Sequence, residues 1–138
     1  MTALSPVDSA TQERKATEFA MTLVKGQGKE GGIHIFRLDE FGDDSDLLNL
    51  IADTFVSGVP SSAVLLVGAG IRKKEVRFVA TISEALNSAK PAIHAERWVE
   101  GSCGAASGTA LKAEGVIPLD RLDKAFELAE KLKAGWEG

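Results

Sequence analysis

Cys103 is the single cysteine of the chain, and two histidines, His34 and His94, could act with it. A thiol performs covalent catalysis when a base lies within hydrogen-bond reach. His34 lies in an apolar, strand-like segment and is interpreted as a core histidine. His94 lies beside apolar Ile93 and Ala95, and the sequence places no carboxylate to orient it. We therefore assign no catalytic residue, and a thiol enzyme using Cys103 stays an alternative.

The segment Gly101–Gly108 has three glycines and two serines in eight residues. Such a backbone can approach a phosphate or a ribose closely and present N–H donors to it. The segment lacks the Lys-Ser/Thr pair of a P-loop, and no buried strand precedes it as a dinucleotide fingerprint requires. The alternative is a tight connection between a helix and an edge strand, which residue types alone favour.

Basic residues flank this segment at Lys90, Arg97 and Lys112. Together they could form a modest rim that faces phosphate groups. A second basic group stands at a predicted hairpin and consists of Arg72, Lys73 and Lys74. We interpret this group first as a solubilising turn that protects a strand edge, and second as an additional basic patch.

No metal and no cofactor are expected. The run Asp39–Asp46 contains five carboxylates, but it lacks the spacing and the final glutamate of a calcium-binding EF-hand loop. The two histidines and the cysteine are scattered, so they give no zinc pattern. A solvated turn and an acidic helix start explain the run.

Composition is typical of a soluble domain of ordinary size. The chain has 138 residues, 44% of them hydrophobic and 26% charged, and a net charge of −4. No apolar run approaches the ~20 residues that cross a bilayer, and no signal peptide is evident. We expect a cytoplasmic protein without a membrane partner. The acidic balance excludes a self-sufficient duplex-DNA binder, because such binding requires clustered cations.

The N-terminal part is predicted to be a helix that starts with Ser5 as its N-cap and Pro6 at its first position. The glycine-rich segment Lys25–Gly32 is predicted to be a flexible joint. These features divide the chain into a helical lead-in with its joint (1–31) and a globular domain (32–138). The lead-in helix is expected to be tethered to the domain rather than packed into it.

The first half of the globular part has a β-α-β-β pattern. Ile33–Leu38 and Ala63–Val67 are predicted buried strands, and between them a helix at Asp46–Ser57 is predicted with Ser45 as its N-cap. Glu75–Ile82 alternates apolar and polar residues, which predicts a half-buried strand antiparallel to the one before it.

The second half is predicted to contain a short helix opened by Pro91, with Trp98 in the core. The small-residue segment, a short strand at Thr109–Lys112 and a final helix opened by Pro118 follow. The fold class is therefore α+β: a mixed β-sheet flanked by helices and preceded by an N-terminal linker helix.

From Lys90 to Gly115 the order of features resembles a known family. A helix ending in Ala95-Glu96-Arg97-Trp98-Val99 runs into the glycine-rich segment, which is followed by Thr109–Gly115 and a terminal amphipathic helix. This order is similar to that of the DHH-associated domain, which forms the globular part of the C-terminal (C-Ala) domain of alanyl-tRNA synthetases. The likeness covers most of the chain, including the preceding hairpin.

The resemblance implies a domain that is not catalytic by itself and that belongs to an alanine–tRNA ligase. It would bind the tRNA(Ala) elbow and help to couple aminoacylation with editing. Its implied partners are the catalytic and editing domains of the same synthetase and a second copy of the chain in a homodimer. In this comparison Gly101, Gly104 and Gly108 form the contact backbone, and Gly115 matches a later glycine of the motif. The resulting RNA-binding set is Lys90, Arg97, Gly101, Ser102, Gly104, Gly108, Lys112 and Gly115.

This sequence also departs from the family pattern. The family segment is denser in glycine and carries lysine or arginine, whereas this chain has Ser102, Cys103, Ala105 and Ala106 there. Fewer cations weaken phosphate binding. The alternative function is therefore a dimerisation module, or an interaction module redirected to another partner, DNA included.

Overall fold

The computed structural model describes residues 6–27, 32–42, 44–59, 61–70, 72 and 74–137. Two short 3-10 turns also occur, at Asp39–Phe41 and Leu119–Arg121. In chain order the helices and strands are α1 (Pro6–Gln27), β1 (Gly32–Arg37), α2 (Ser45–Gly58), β2 (Ser62–Gly70), β3 (Glu75–Ile82), α3 (Glu84–Ala89), α4 (Ala95–Cys103), β4 (Ser107–Gly108), β5 (Lys112–Pro118) and α5 (Leu122–Glu137).

The strands form a mixed five-stranded sheet in the order β1-β2-β3-β5-β4. β1 and β2 are parallel, and the other neighbouring pairs are antiparallel. Two adjacent parallel strands require a crossover connection, and α2 supplies it. The predicted α+β fold with a mixed sheet flanked by helices is confirmed, as is the hairpin of β2 and β3.

The interior strand β2 is buried along its whole length. Because side chains alternate between the faces of a strand, Leu65 lies in the core shared with Trp98 of α4. The next residue, Leu66, lies in the core shared with Phe55 of α2. Helices α1 and α2 therefore cover one face of the sheet, and α4 and α5 cover the other.

The expectation that α1 is only tethered to the domain is wrong. Ala16 and Ala20 are fully buried in the core around α2, and the Phe19 ring lies edge-on to Phe41 at 5.8 Å between centroids. α1 thus packs on α2 and belongs to the helical layer on that face of the sheet. Ser5 and residues 28–31 of the joint lie outside the described residues, and the boundary between 1–31 and 32–138 stays a prediction.

The acidic run has structural roles in the described residues. Asp44 caps α2, where Ser45 was predicted, because its carboxylate accepts hydrogen bonds from the backbone N–H groups of Asp46 and Leu47 at 3.0 and 3.2 Å. Asp39 accepts a hydrogen bond from the Arg37 guanidinium at 2.7 Å. That bond holds the pKa of Asp39 below its usual value. Asp39 and Asp44 therefore have structural roles, and Asp43 lies outside the described residues.

The helix predicted from Pro91 starts later, at Ala95. Pro91 lies in a turn, and the helix begins where the His94 side chain caps it. The preceding α3 was not predicted; Ser83 is its N-cap, and the Ser83 hydroxyl accepts a hydrogen bond from the backbone N–H of Leu86. A polar, six-residue helix with no buried residue has no apolar stripe to reveal it.

The strand predicted at Thr109–Lys112 is also displaced. The observed strand β5 begins at Lys112 and runs to Pro118, with Ala113 and Ile117 buried. The alternation of apolar and polar residues in β5 is hard to recognise in the sequence, because the inward position between Ala113 and Ile117 is Gly115. The final helix starts at Leu122, after the 3-10 turn that Pro118 precedes.

In the part of the chain that the structure describes, no helix has the length and apolar character that a membrane span requires.

Candidate functional site

Helix α4 is fixed in place by its buried face. The Nδ1 atom of His94 accepts a hydrogen bond from the Arg97 backbone N–H at 3.3 Å and so caps the helix. Trp98 is fully buried, as predicted, and its indole N–H donates to the Ala129 carbonyl of α5 at 3.1 Å. This arrangement leaves the opposite side of α4, with Arg97 and Glu100, exposed to solvent.

The small-residue segment begins as helix, contrary to the predicted loop. Gly101, Ser102 and Cys103 form the last turn of α4, and the buried Ser102 hydroxyl donates to the Trp98 carbonyl at 2.7 Å. Gly104 ends the helix in the left-handed region at φ +90°, with open space where a side chain would be. We call Gly101–Gly104 the helix-end corner.

Three of the four glycines in the predicted RNA-binding set lie close to neighbouring atoms. A Cβ atom built on Gly101 would lie 2.7 Å from Leu132 Cδ1, and one on Gly115 would lie 2.7 Å from Val99 Cγ1. Gly108 has φ +151° and packs against the Lys112 carbonyl. Gly104 differs from the other three, because no atom lies near the position that its side chain would occupy.

The structure brings Arg97 to the helix-end corner, but not the other two cations of the predicted rim. Lys112 forms an ion pair with Asp53 of α2 at 2.8 Å. It therefore lies on the α1–α2 side of the sheet, whereas Gly101 packs on the α4–α5 side. Lys90 is exposed at the end of α3. It borders neither of the two clefts beside the corner.

Of the second basic patch, Arg72 and Lys74 are exposed in the turn between β2 and β3. Lys73 lies outside the described residues. The Lys74 carbonyl accepts a hydrogen bond from the Leu119 N–H at 3.0 Å, and both residues border a separate shallow cleft. This patch does not border either cleft of the corner.

Two clefts meet at the helix-end corner. One, the α4 cleft, is an open depression of about 520 Å³ bordered by His94, Glu96, Arg97, Glu100, Gly101 and Gly104. The other, the α4–α5 cleft, is smaller, about 140 Å³, and both Arg121 and Lys124 border it. Gly101 and Gly104 belong to both, so the corner is the ridge between them.

Sequence reasoning missed Arg121 and Lys124. A signal for them exists in their spacing, because residues three apart at a helix start lie on one face. The buried stripe of α5 contains Leu122, Ala125 and Ala129, so the two cations flank that stripe on the side where α4 ends. The tertiary contact between α4 and α5 could not be obtained from spacing alone.

The thiol-enzyme alternative receives no support from the geometry. Burial raises the pKa of the Cys103 thiol to about 12, although the charge of Arg121 partly opposes the increase. His94 caps one end of α4 and Cys103 lies at the other, about 13 Å apart along the axis. The His34 ring packs against Phe55 at 5.3 Å in the core, as predicted. A thiol that stays protonated is a poor nucleophile.

Among the described residues, no group of three or more His, Cys, Asp and Glu side chains is arranged to hold a metal ion.

The fold is similar to that of the solved C-Ala domain from Aquifex aeolicus alanyl-tRNA synthetase. The two structures superpose with a TM-score of 0.60 at 19% sequence identity, over 77% of this chain and 96% of that chain. At this identity the likeness establishes the fold, and the resemblance noted from Lys90 to Gly115 is confirmed at that level. No protein-family model and no curated protein matches the sequence.

A solved pGpG-specific phosphodiesterase from Vibrio cholerae is less similar. It aligns with 90% of this chain and 41% of its own length, with a TM-score of 0.49 and 13% identity. That likeness is too weak to support a conclusion about function.

Proposed function

We propose that this chain is a non-catalytic C-terminal domain of an alanyl-tRNA synthetase. It helps to bind the elbow of tRNA(Ala) and so couples aminoacylation with editing, in the cytoplasm. The observation that carries the proposal is the C-Ala fold, which this chain shares over 96% of the Aquifex aeolicus domain. The raised pKa of Cys103 is consistent with a binding role rather than with thiol chemistry.

The helix-end corner is the proposed contact. Gly104 and Arg97 are exposed there, and the open space around Gly104 lets a sugar–phosphate backbone come close to the protein. Gly101 is exposed at the corner as well, while the buried Ser102 and the closely packed Gly115 support it from beneath. In this proposal Lys90 and Lys112 have smaller effects, because Lys90 borders neither cleft and Lys112 is paired with Asp53.

The mechanism is a gain in effective concentration. With a net charge of −4, the domain holds RNA weakly by itself, since most non-specific affinity comes from cations that displace counterions. Attached to catalytic and editing domains that hold the same tRNA, a weak site adds more than its isolated affinity. The elbow contact then keeps one tRNA bound while its acceptor end moves between two centres.

The test is binding of fluorescently labelled tRNA(Ala) to the full chain across a series of KCl concentrations. We expect salt-sensitive binding that is lost with a minihelix made of the acceptor stem alone. A Lys90/Arg97/Lys112 triple alanine variant is expected to bind less tightly, with Arg97→Ala accounting for most of the loss. Equal binding of tRNA and minihelix, or no binding at all, contradicts the elbow proposal.

A second candidate function is a dimerisation or interaction module with weakened tRNA contact, DNA being one possible partner. Glu96 and Glu100 beside Arg97 and the Lys112–Asp53 ion pair favour it, because both reduce the positive charge near the corner. Sedimentation equilibrium without RNA distinguishes the two functions. A concentration-independent dimer that does not bind tRNA in a gel-shift assay, with or without binding of DNA, supports the module.

A further inference from the structure

Arg121 and Lys124 are two cations that border the α4–α5 cleft together. Both side chains are exposed, and neither belongs to an ion pair within the described part of the chain. The positive charge of Arg121 acts on the Cys103 thiol at the bottom of the cleft, where burial is the larger influence on the thiol pKa. Arg121 and Lys124 can therefore both face an incoming anion, although the charge of Lys124 also acts on Glu127 one turn along α5.

The carboxylates next to these cations in the sequence face other parts of the molecule. Asp120 borders a separate cleft beside Leu119. Asp123 acts on Arg37 of β1, whose pKa is raised first by its hydrogen bond to Asp39 and further by the charge of Asp123. Neither carboxylate borders the α4–α5 cleft.

The two sides of the helix-end corner consequently differ in charge. On the α4 side, Glu96 and Glu100 accompany Arg97. On the α5 side, two cations border the cleft and none of its bordering residues in the described chain is a carboxylate. Glu127, the next acidic residue of α5, is in an ion pair with Lys131 at 3.2 Å; Lys131 lowers the pKa of Glu127 most, and the charge of Lys124 lowers it further. An anion is therefore better accommodated on the α5 side.

We infer that Arg121 and Lys124 hold a backbone phosphate of the RNA that docks on the helix-end corner. This inference rests on the proposed function. The cleft volume of about 140 Å³ is below the roughly 300 Å³ at which pockets for drug-sized ligands begin. A phosphate group fits, while the rest of the nucleotide stays outside. Such contacts orient a protein on the nucleic acid without reading its sequence.

The test compares the double variant Arg121→Gln/Lys124→Gln with wild type in tRNA(Ala) binding at several KCl concentrations. We expect roughly tenfold weaker binding at low salt, and a plot of log affinity against log salt that is shallower by about 1, because one phosphate contact is lost. The variant Arg121→Lys/Lys124→Arg keeps both charges and is expected to bind within about twofold of wild type.

The matched control is Arg14→Gln/Lys15→Gln. It removes one arginine and one lysine that are exposed on α1, on the opposite side of the sheet, and it is expected to leave the salt slope unchanged. Far-UV circular dichroism verifies that each variant is folded. If wild type binds and the Arg121/Lys124 variant binds equally well, the inference is wrong and the proposed function stands. If wild type binds no tRNA, both are wrong.

Discussion

Gly115 of β5 and Val99 of α4 are in contact between the sheet and the helix above it. A Cβ atom on Gly115 would lie 2.7 Å from Val99 Cγ1 and 3.1 Å from the Ala105 carbonyl. We expect Gly115→Ala to destabilise the protein by about 1–3 kcal/mol, because the buried side chains around it must move to admit a methyl group. Urea unfolding measures the change.

Gly135→Ala is the control for that substitution. Gly135 lies in α5 with no atom near the position of the added methyl group. Alanine there is expected to be neutral or to stabilise by up to about 1 kcal/mol, because it lowers the conformational freedom of the unfolded chain. Gly115→Ala and Gly135→Ala variants of equal stability would show that Gly115 is not close-packed.

The Cys103 thiol is expected to react with iodoacetamide more slowly than a free thiol at pH 8. Its pKa is raised to about 12 by burial, so the thiolate is scarce until strongly alkaline pH. In the unfolded chain, the Cys103 thiol ionises near its ordinary pKa of 9.0. The stabilising contribution of the neutral thiol is therefore complete below pH 9 and is lost as pH rises toward 12.

Mass spectrometry of alkylated protein across that pH range measures the rate. Protein unfolded in urea supplies the reference thiol. A native rate at pH 8 that equals or exceeds the unfolded rate contradicts the buried position of Cys103 and restores the thiol alternative.

At the residue scale, the sequence identified the corner but not the use of its glycines. Three glycines and two serines in eight residues allow either a ligand-facing backbone or close packing. The choice depends on Leu132 and Val99, which approach from other elements. Arg121 was missed for the same reason: its neighbour across the cleft, Cys103, is distant in sequence.

At the element scale, α1 shows what tertiary packing adds. A glycine-rich joint suggested a detached helix, but Ala16 and Ala20 are fully buried against α2. Small residues let two helices approach closely, and a sequence cannot show which of its alanines has a partner. The hairpin of β2 and β3 was predictable, because apolar alternation and adjacency determine it.

The packing of α1 predicts a difference between two positions of that helix. Ala20→Asp places a charge in the core and is expected to lower the free energy of unfolding by about 3 kcal/mol. Thr17→Asp introduces the same side chain at an exposed position, where we expect a change within about 0.5 kcal/mol. Thermal unfolding followed by circular dichroism measures both. If neither substitution changes the free energy of unfolding, α1 is tethered to the domain rather than packed into it.

At the scale of the whole molecule, the sheet separates two helical layers. The α1–α2 layer includes the acidic N-cap Asp44 and the Lys112–Asp53 pair. The α4–α5 layer includes the helix-end corner with Arg97, Arg121 and Lys124 around it. The sequence predicted a buried β2 but only a half-buried β3, whereas β3 is buried on both faces over most of its length. The assignment of each cation to one layer required the fold, because the sequence does not show that Arg97 and Lys112 lie on opposite sides of the sheet.

Amide chemical-shift mapping by NMR, with unlabelled tRNA(Ala) added to the isotope-labelled chain, tests the central claim most directly. The account predicts that shifts concentrate at Arg97, Gly101 and Gly104 and continue to the start of α5, with α1 and α2 unchanged. Shifts confined to α1 and α2, or a spectrum that tRNA does not change, would contradict it.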